Sequence, residues 1–291
     1  MKDEFGFIAR LKSLIPRSLQ GAIPIGDDAA VLKAGGKNLL FTTDCILEGV
    51  DFRPGARPEL IGRKALAVNL SDIAAMGGRP LAFVVTFGIP KKVSNAWMEK
   101  ASRGILRLAK EFQASWVGGD ISRSNQFFIS IALLGEAKRP VLRTGARAGD
   151  WIYVTGKLGG SISGKHLTFT PRIQEGKFLA AHFRPTSMID ISDGFIQDLE
   201  HILSGSKAGA RVDLEKIPIS AAAKRKAGAY GHTPLQSALS DGEDFELLFT
   251  LPRQKGAVLE KAWRGRFSGV ALTRAGEITA NKGRIEWREL G

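Results

Sequence analysis

The stretch "PELIGRKALAVNLSDIAAMGG", residues 58–78, decides how the chain is read. Pro58 suits the first turn of a helix, where its missing N–H would have no partner in any case. The pattern predicts a helix from Pro58 to Met76, stopped by Gly77 and Gly78. Inside it sits Asp72, flanked by Leu70, Ile73 and Met76. Neither turn formation nor N-capping accounts for an aspartate in the middle of a helix, which leaves a salt bridge to a remote arginine or a place in a site.

Outward from this helix, apolar runs and Gly/Pro punctuation predict strands over 29–33, 38–43, 81–88 and 127–135. A second helix starts near Ser94, with Trp97, Met98, Ala101, Ile105, Leu108 and Phe112 at helical spacing. The Gly- and Arg-rich stretch 139–150 marks a boundary. Beyond it the reading gives a strand over 151–155, a glycine-rich turn, strands near Met188, Ala210, Phe245 and Phe267, and a helix over 194–203. The expected class is α+β, an α-β sandwich of two mixed domains, residues 1–145 and 146–291.

Composition narrows the function classes. The chain has 291 residues, 44% hydrophobic and 24% charged, which suits two domains that each bury a core. No apolar run approaches the ~18 residues a membrane helix needs, and Asp3 and Glu4 interrupt any signal-peptide reading. Cys45 stands alone, so no internal disulfide forms and a cytoplasmic location is expected. The net charge of +13 could attract nucleic acid or phosphorylated molecules, but the basic residues are scattered and no nucleic-acid-binding motif accompanies them.

The aspartates carry the chemistry. Nine of the fourteen fall in six short motifs: "IGDDA" (Asp27, Asp28), "TTD" (Asp44), "NLSD" (Asp72), "GGD" (Asp120), "DISDG" (Asp190, Asp193) and "SDGED" (Asp241, Asp244). Several follow an apolar strand and sit beside Gly, Ser or Thr, where a backbone can approach a ligand closely. Asp beside Gly is also a common turn former, and Asp193 could merely cap the helix that follows. Converging acids would repel one another unless divalent cations neutralised them, and Mg²⁺ prefers such oxygen ligands with substrate phosphates. The set therefore suggests a polymetal phosphate site.

Other features are bland. "GGSISGKH", residues 159–166, nearly fits a phosphate-cradling loop, but His166 replaces the hydroxyl residue and Pro171 follows soon after, so a tight glycine turn is expected. His166, His182, His201 and His232 show no metal-ligand spacing, and Cys45 reads as a buried small apolar residue at a strand end.

Taken in order, these motifs resemble the thiamine-monophosphate kinase family, within the ATP-dependent superfamily of aminoimidazole ribonucleotide synthetase. The resemblance runs from "DEFGFIARL" through "IGDDAAVL", "TTDCILEGVDF", "GRKALAVNLSDIAAMGGRP", "VGGDISRS", "RTGARAGDWIYVTGKLGGS" and "DISDGFIQDLEHI" to "SDGEDFELLFT". It implies Mg²⁺ ligands at Asp28, Thr42, Thr43, Asp44, Asp72, Asp120, Asp190 and Asp193, with Asp27 in support. It implies ATP contacts at Gly119, Asp120, Arg143 and Ser192, and a thiamine-end contact at Glu243. Transfer of the ATP γ-phosphoryl group to thiamine monophosphate is the activity implied, with several Mg²⁺ ions and no catalytic side chain. The N-terminal sheet domain would pair across a homodimer.

Three positions depart from the family pattern. Asp51 stands in "EGVDF" where the family has a substrate-touching histidine. Ser102 replaces a tyrosine that flanks adenine, and the chain reads "RIEWRELG" where the family has an aromatic ending. All three concern the organic parts of the ligands, and the acid motifs are intact. Two alternatives stay open: another phosphorylated acceptor within the superfamily, or a basic nucleotide- or nucleic-acid-binding protein that has lost activity.

Overall fold

A computed structural model describes residues 4–14, 25–228 and 231–289. Asp3, Leu290 and Gly291, which the sequence reading quoted, lie outside the described residues. The elements begin with α1 (Glu4–Leu14), β1 (Ala30–Ala34), β2 (Lys37–Leu47), α2 (Pro58–Ala75) and β3 (Arg79–Ile89). Next come α3 (Asn95–Phe112), β4 (Ser115–Arg123), β5 (Phe128–Ala137) and β6 (Asp150–Thr155). The second half adds α4 (Lys165–Thr168), α5 (Ile173–Phe178), β7 (Ser187–Asp190), α6 (Phe195–Ser206) and β8 (Gly209–Asp213). It closes with α7 (Ala221–Arg225), α8 (Pro234–Ser240), β9 (Leu247–Pro252), α9 (Gly256–Arg266), β10 (Leu272–Thr279) and β11 (Ile285–Arg288).

Two mixed sheets result. The first has strand order β1-β2-β5-β3-β4 and the second β11-β8-β10-β6-β9-β7. On the first, alternation turns Leu40, Phe83, Val85, Phe87, Ile129 and Ile131 toward the helices, where all are buried. The opposite face leaves Leu32, Phe41 and Val84 40–45% exposed.

Helix α2 holds the architecture together. It packs on β2 and β5, on α3, and on α4, α5 and β7 from the second half. Most of its residues are buried, including the polar Lys64, Asn69 and Ser71, as befits a helix with neighbours on all sides. Its crossing with α3 is close enough that glycine is required on both partners. A Cβ on Gly62 would lie 1.9 Å from the Ala101 carbonyl oxygen, and one on Gly104 would lie 1.9 Å from that of Glu59. The amphipathic α3 buries Ala101, Gly104, Ile105 and Leu108, and Ser94 caps it by accepting the Trp97 N–H at 3.2 Å.

The expected strand near Phe267 is corrected by the structure. That segment follows a helix, α9, whose buried Leu259 and Trp263 are four residues apart, and the strand begins only at Leu272. Basic residues interleave this helix and hide its apolar face from a short-window reading. Asp193 is not the cap of α6. Asp198, inside the first turn, accepts the N–H groups of Asp193 and Gly194, each at 3.1 Å.

Candidate functional site

Residues far apart in sequence meet where the two sheets face α2. Asp28 precedes β1, Thr42 and Asp44 lie on β2, Asp72 on α2, and Asp190 ends β7. On β2 the side-chain period of two places Thr42 and Asp44 on the helix-facing side with Leu40 and Ile46. Carboxylate oxygens of Asp28, Asp72 and Asp190 lie within 4.8 Å of one another. The Thr42 hydroxyl donates to Asp72 Oδ2, and the Ser71 hydroxyl donates to Asp190 Oδ2 at 2.5 Å. Arg143 Nη2 donates to Asp28 Oδ1 at 2.7 Å, while its backbone N–H is held by Asp27. Asp28 Oδ2 is buried and has no hydrogen-bond partner.

The electrostatics follow from that crowding. Burial, and then Asp44, Asp190 and Asp28, push the Asp72 carboxyl well above the usual range. Burial and then Asp28 push Asp190 up to about 8, against the Ser71 hydrogen bond and Arg143. Asp44 is likewise raised by burial, Asp51 and Asp28. Burial works against the Arg143 charge, but Asp28, Asp190 and Asp72 more than offset this and hold it protonated. A buried oxygen without a partner, a donor set made only of oxygens and like charges that suppress ionisation together fit a hard divalent cation.

The crowded carboxyls make the stability of the ion-free protein depend on pH. Between an unfolded carboxyl pKa of about 4 and the folded value, the native state binds more protons than the unfolded state. Stability contributed by Asp190 therefore falls as pH rises through that window, whose upper end is about 8. Without divalent cation, the melting temperature should fall from about pH 6 to about pH 8, and Mg²⁺ should raise it more at the upper end. Scanning calorimetry at both pH values checks this, and an Mg²⁺ increment independent of pH would contradict it.

Other expected site residues lie elsewhere. Thr43 is exposed on the outward face of β2, and so is Cys45, which is not buried as expected because the pleat turns it away from the helices. Asp120 pairs with Thr86 on β3, which pairs with Ser130 on β5 and through it with Cys45 on β2. Asp120 thus stands on that same outward face, three strand spacings or about 14 Å from Cys45, and does not join the acid cluster within one chain. Gly119 has a packing reason of its own, since a Cβ there would lie 1.9 Å from the Val85 carbonyl oxygen.

Asp193 is exposed and, with Asp198 and His201, forms a second group with ligand atoms within 4.8 Å. The i, i+3 spacing puts Asp198 and His201 on one face of α6, so this histidine is nearer to carboxylates than the sequence suggested. The Ser192 carbonyl accepts the Glu243 N–H at 2.7 Å. Glu243 has the left-handed φ of 54° and pairs with Lys64, which is only 1% exposed. Lys64 Nζ also donates to the Asp51 carbonyl at 2.6 Å, while the Asp51 carboxylate accepts the Leu47 N–H at 2.7 Å. Asp51 and Glu243 are thus brought together across the junction through one buried ammonium.

Ser71, Lys64 and Asp198 were not picked out from the sequence. Ser71 and Lys64 both belong to α2, and their polarity inside an apolar helix was the available signal. The loop 159–166 is no phosphate cradle. Its Gly159 and Gly160 N–H groups are taken by Asp244 at 2.7 Å and Asp241 at 3.0 Å. Lys165 pairs with Glu246 at 3.0 Å, and the helix that follows has four residues.

Residues 26–137 match the family model "AIR synthase related protein, N-terminal domain". The thiamine-monophosphate kinase of Rhodopirellula baltica is 41% identical over 291 residues, covering 96% of this chain and 90% of that protein. The chain belongs to the thiamine-monophosphate kinase family. The Escherichia coli K12 thiamine-monophosphate kinase is 37% identical, covering 96% of this chain and 91% of its own length. Among solved structures, AaThiL complexed with AMPPCP and TMP superposes with a TM-score of 0.87 at 31% identity, covering 100% of this chain and 96% of that one. The hydrogenase maturation protein HypE in complex with ATP shares the fold, with a TM-score of 0.71 at 20% identity, covering 90% of this chain and 85% of that one. The family architecture of two mixed α/β sheet units is therefore present throughout. No helix among the described residues is long and apolar enough to cross a membrane.

Proposed function

We infer that this chain is a kinase that transfers the γ-phosphoryl group of ATP to the phosphate of thiamine monophosphate, giving thiamine diphosphate and ADP, with several Mg²⁺ ions. The meeting of Asp28, Asp72 and Asp190 around an unpartnered buried oxygen carries this reading, together with the family relationship. Asp28, Thr42, Asp44, Asp72 and Asp190 would hold the ions. When bound, Mg²⁺ would neutralise the approach of two polyanions and align them for in-line transfer. Arg143 positions Asp28 and adds a fixed positive charge. An acceptor phosphate is already ionised at neutral pH, so no side chain has to act as a strong base. Asp51, Lys64 and Glu243 would form the wall facing the organic end of the acceptor.

Purified protein given ATP and thiamine monophosphate should release ADP and thiamine diphosphate in equal amounts, and only with Mg²⁺. ADP without thiamine diphosphate would remove the acceptor assignment. Turnover of a different phosphorylated acceptor in a parallel panel would favour a sister activity of the superfamily.

Residues 1–145 would act as the metal and dimerisation unit and residues 146–291 as the unit that completes the nucleotide and acceptor site, in a cytoplasmic homodimer. What supports pairing is the outward face of the first sheet. Leu32, Phe41 and Val84 are exposed there beside Thr43 and Asp120, two assigned ligands that, like Asp193, lie apart from the acid cluster. A second copy packed on this face would cover the apolar side chains and set Asp120 against the outward face of the partner sheet, the face that carries Thr43. Light scattering should give a dimer, and Phe41→Arg with Val84→Arg should give a monomer with little turnover. A fully active monomer would dismiss the pairing.

A further inference from the structure

The net charge of +13 has no role in an acid-lined kinase site, and the structure gathers part of it in one place. A cavity of about 600 Å³ opens between the first sheet and the segment after α5. Lys37, Arg79, Lys138 and Arg139 line it from the first half of the chain, and Lys177 and Arg184 from the second. Glu136 is the one carboxylate in this lining, and it pairs with Lys37 at 3.5 Å and with Arg79. Lys138, Arg139, Lys177 and Arg184 make no ion pair with any described residue.

Solvated surface cations ordinarily spread apart, because like charges within a Debye length of about 8 Å repel. Six of them around one hollow, with a single counter-charge, is the arrangement that an anionic ligand would relieve. They are not recruited to cap α2, whose end lies beneath. The Ala74 and Ile73 carbonyls accept the Gly77 and Gly78 N–H groups, both at 2.9 Å, and the Met76 carbonyl accepts that of Val141 at 3.2 Å. One lip of the hollow is also conformationally unusual. Arg184 ends a π-helical turn, Leu179–Phe183, with the left-handed φ of 54°, a costly conformation for a residue with a side chain.

We propose that this groove is a binding site for a small ligand carrying consecutive phosphoryl groups, separate from the kinase centre. The volume matches a small molecule rather than a polymer track. Arg79, Arg139 and Arg184 offer planar forks suited to phosphate oxygens, with the lysines as point charges around them. No aromatic side chain lines the groove, so it lacks the stacking platform that single-stranded nucleic acid uses. Its sign is opposite to that of the acid cluster, which would repel the same ligand when no divalent cation is present.

That opposition makes the test clean. Inorganic tripolyphosphate is titrated calorimetrically into the full chain in the presence of a chelator. One site is expected, with affinity falling steeply as salt rises. Lys138→Glu with Lys177→Glu should weaken it by at least about tenfold, while Mg²⁺-dependent kinase turnover and melting temperature stay at wild-type values. No binding up to about 1 mM, or binding that charge reversal leaves unchanged, would overturn the proposal. So would a single-stranded RNA oligonucleotide that binds the same residues more tightly than tripolyphosphate.

Discussion

Asp72→Asn is expected to lower kinase turnover by about three orders of magnitude, the scale on which one preorganised electrostatic contact acts in phosphoryl and acyl transfer. The residue lies among Asp28, Asp190 and Asp44, and the Thr42 hydroxyl donates to it. An amide in its place keeps the shape but removes the charge that would be shared between ions. Folding should respond in the opposite direction. In the absence of divalent cation the wild-type carboxyl is crowded by like charges, so the variant should melt at the same temperature or higher. This pairing of a catalytic loss with no loss of stability separates a site role from a packing role. Turnover within a few-fold of wild type would contradict the metal cluster, and a large fall in melting temperature would mean that Asp72 supports the fold instead.

Gly104→Leu should destabilise the protein by about 3 kcal/mol or more, the cost of forcing overpacking on a closed contact. At this chain length that corresponds to a fall of roughly 5 °C in melting temperature. The added Cβ alone would lie 1.9 Å from the Glu59 carbonyl oxygen, a backbone atom that cannot rotate aside. Arg103→Leu, one residue earlier and exposed, should change stability by no more than about 0.5 kcal/mol. Equal melting temperatures for the two variants would mean that the α2–α3 crossing can open at little cost.

Much of the fold was legible because its signals are local. The Pro58 start and the Gly77-Gly78 stop bracket α2 to within a residue, and Ser94 marks the cap of α3. The acids of the cluster were legible because Asp72 has no local reason to exist. What the sequence could not give is which way a side chain points when two sheets and a buried helix meet. Thr42 and Thr43 are adjacent letters with the same chemistry, yet the pleat sends one to the acid cluster and the other to the outward face. Asp241 and Asp244 looked like further ligands, but they hold the backbone of the 159–160 turn. The α9 helix was missed because its few apolar residues are spaced among arginines and lysines.

A helix with neighbours on every flank leaves a lineage little room to edit it. Any change along α2 is felt at once by both sheets and by the aspartate it carries, so drift in preference has to come from somewhere softer. The loop bearing Asp51, the α3 position held by Ser102 and the last strand are such places. Substitutions there are expected to alter which organic head is held while leaving the acid cluster in place.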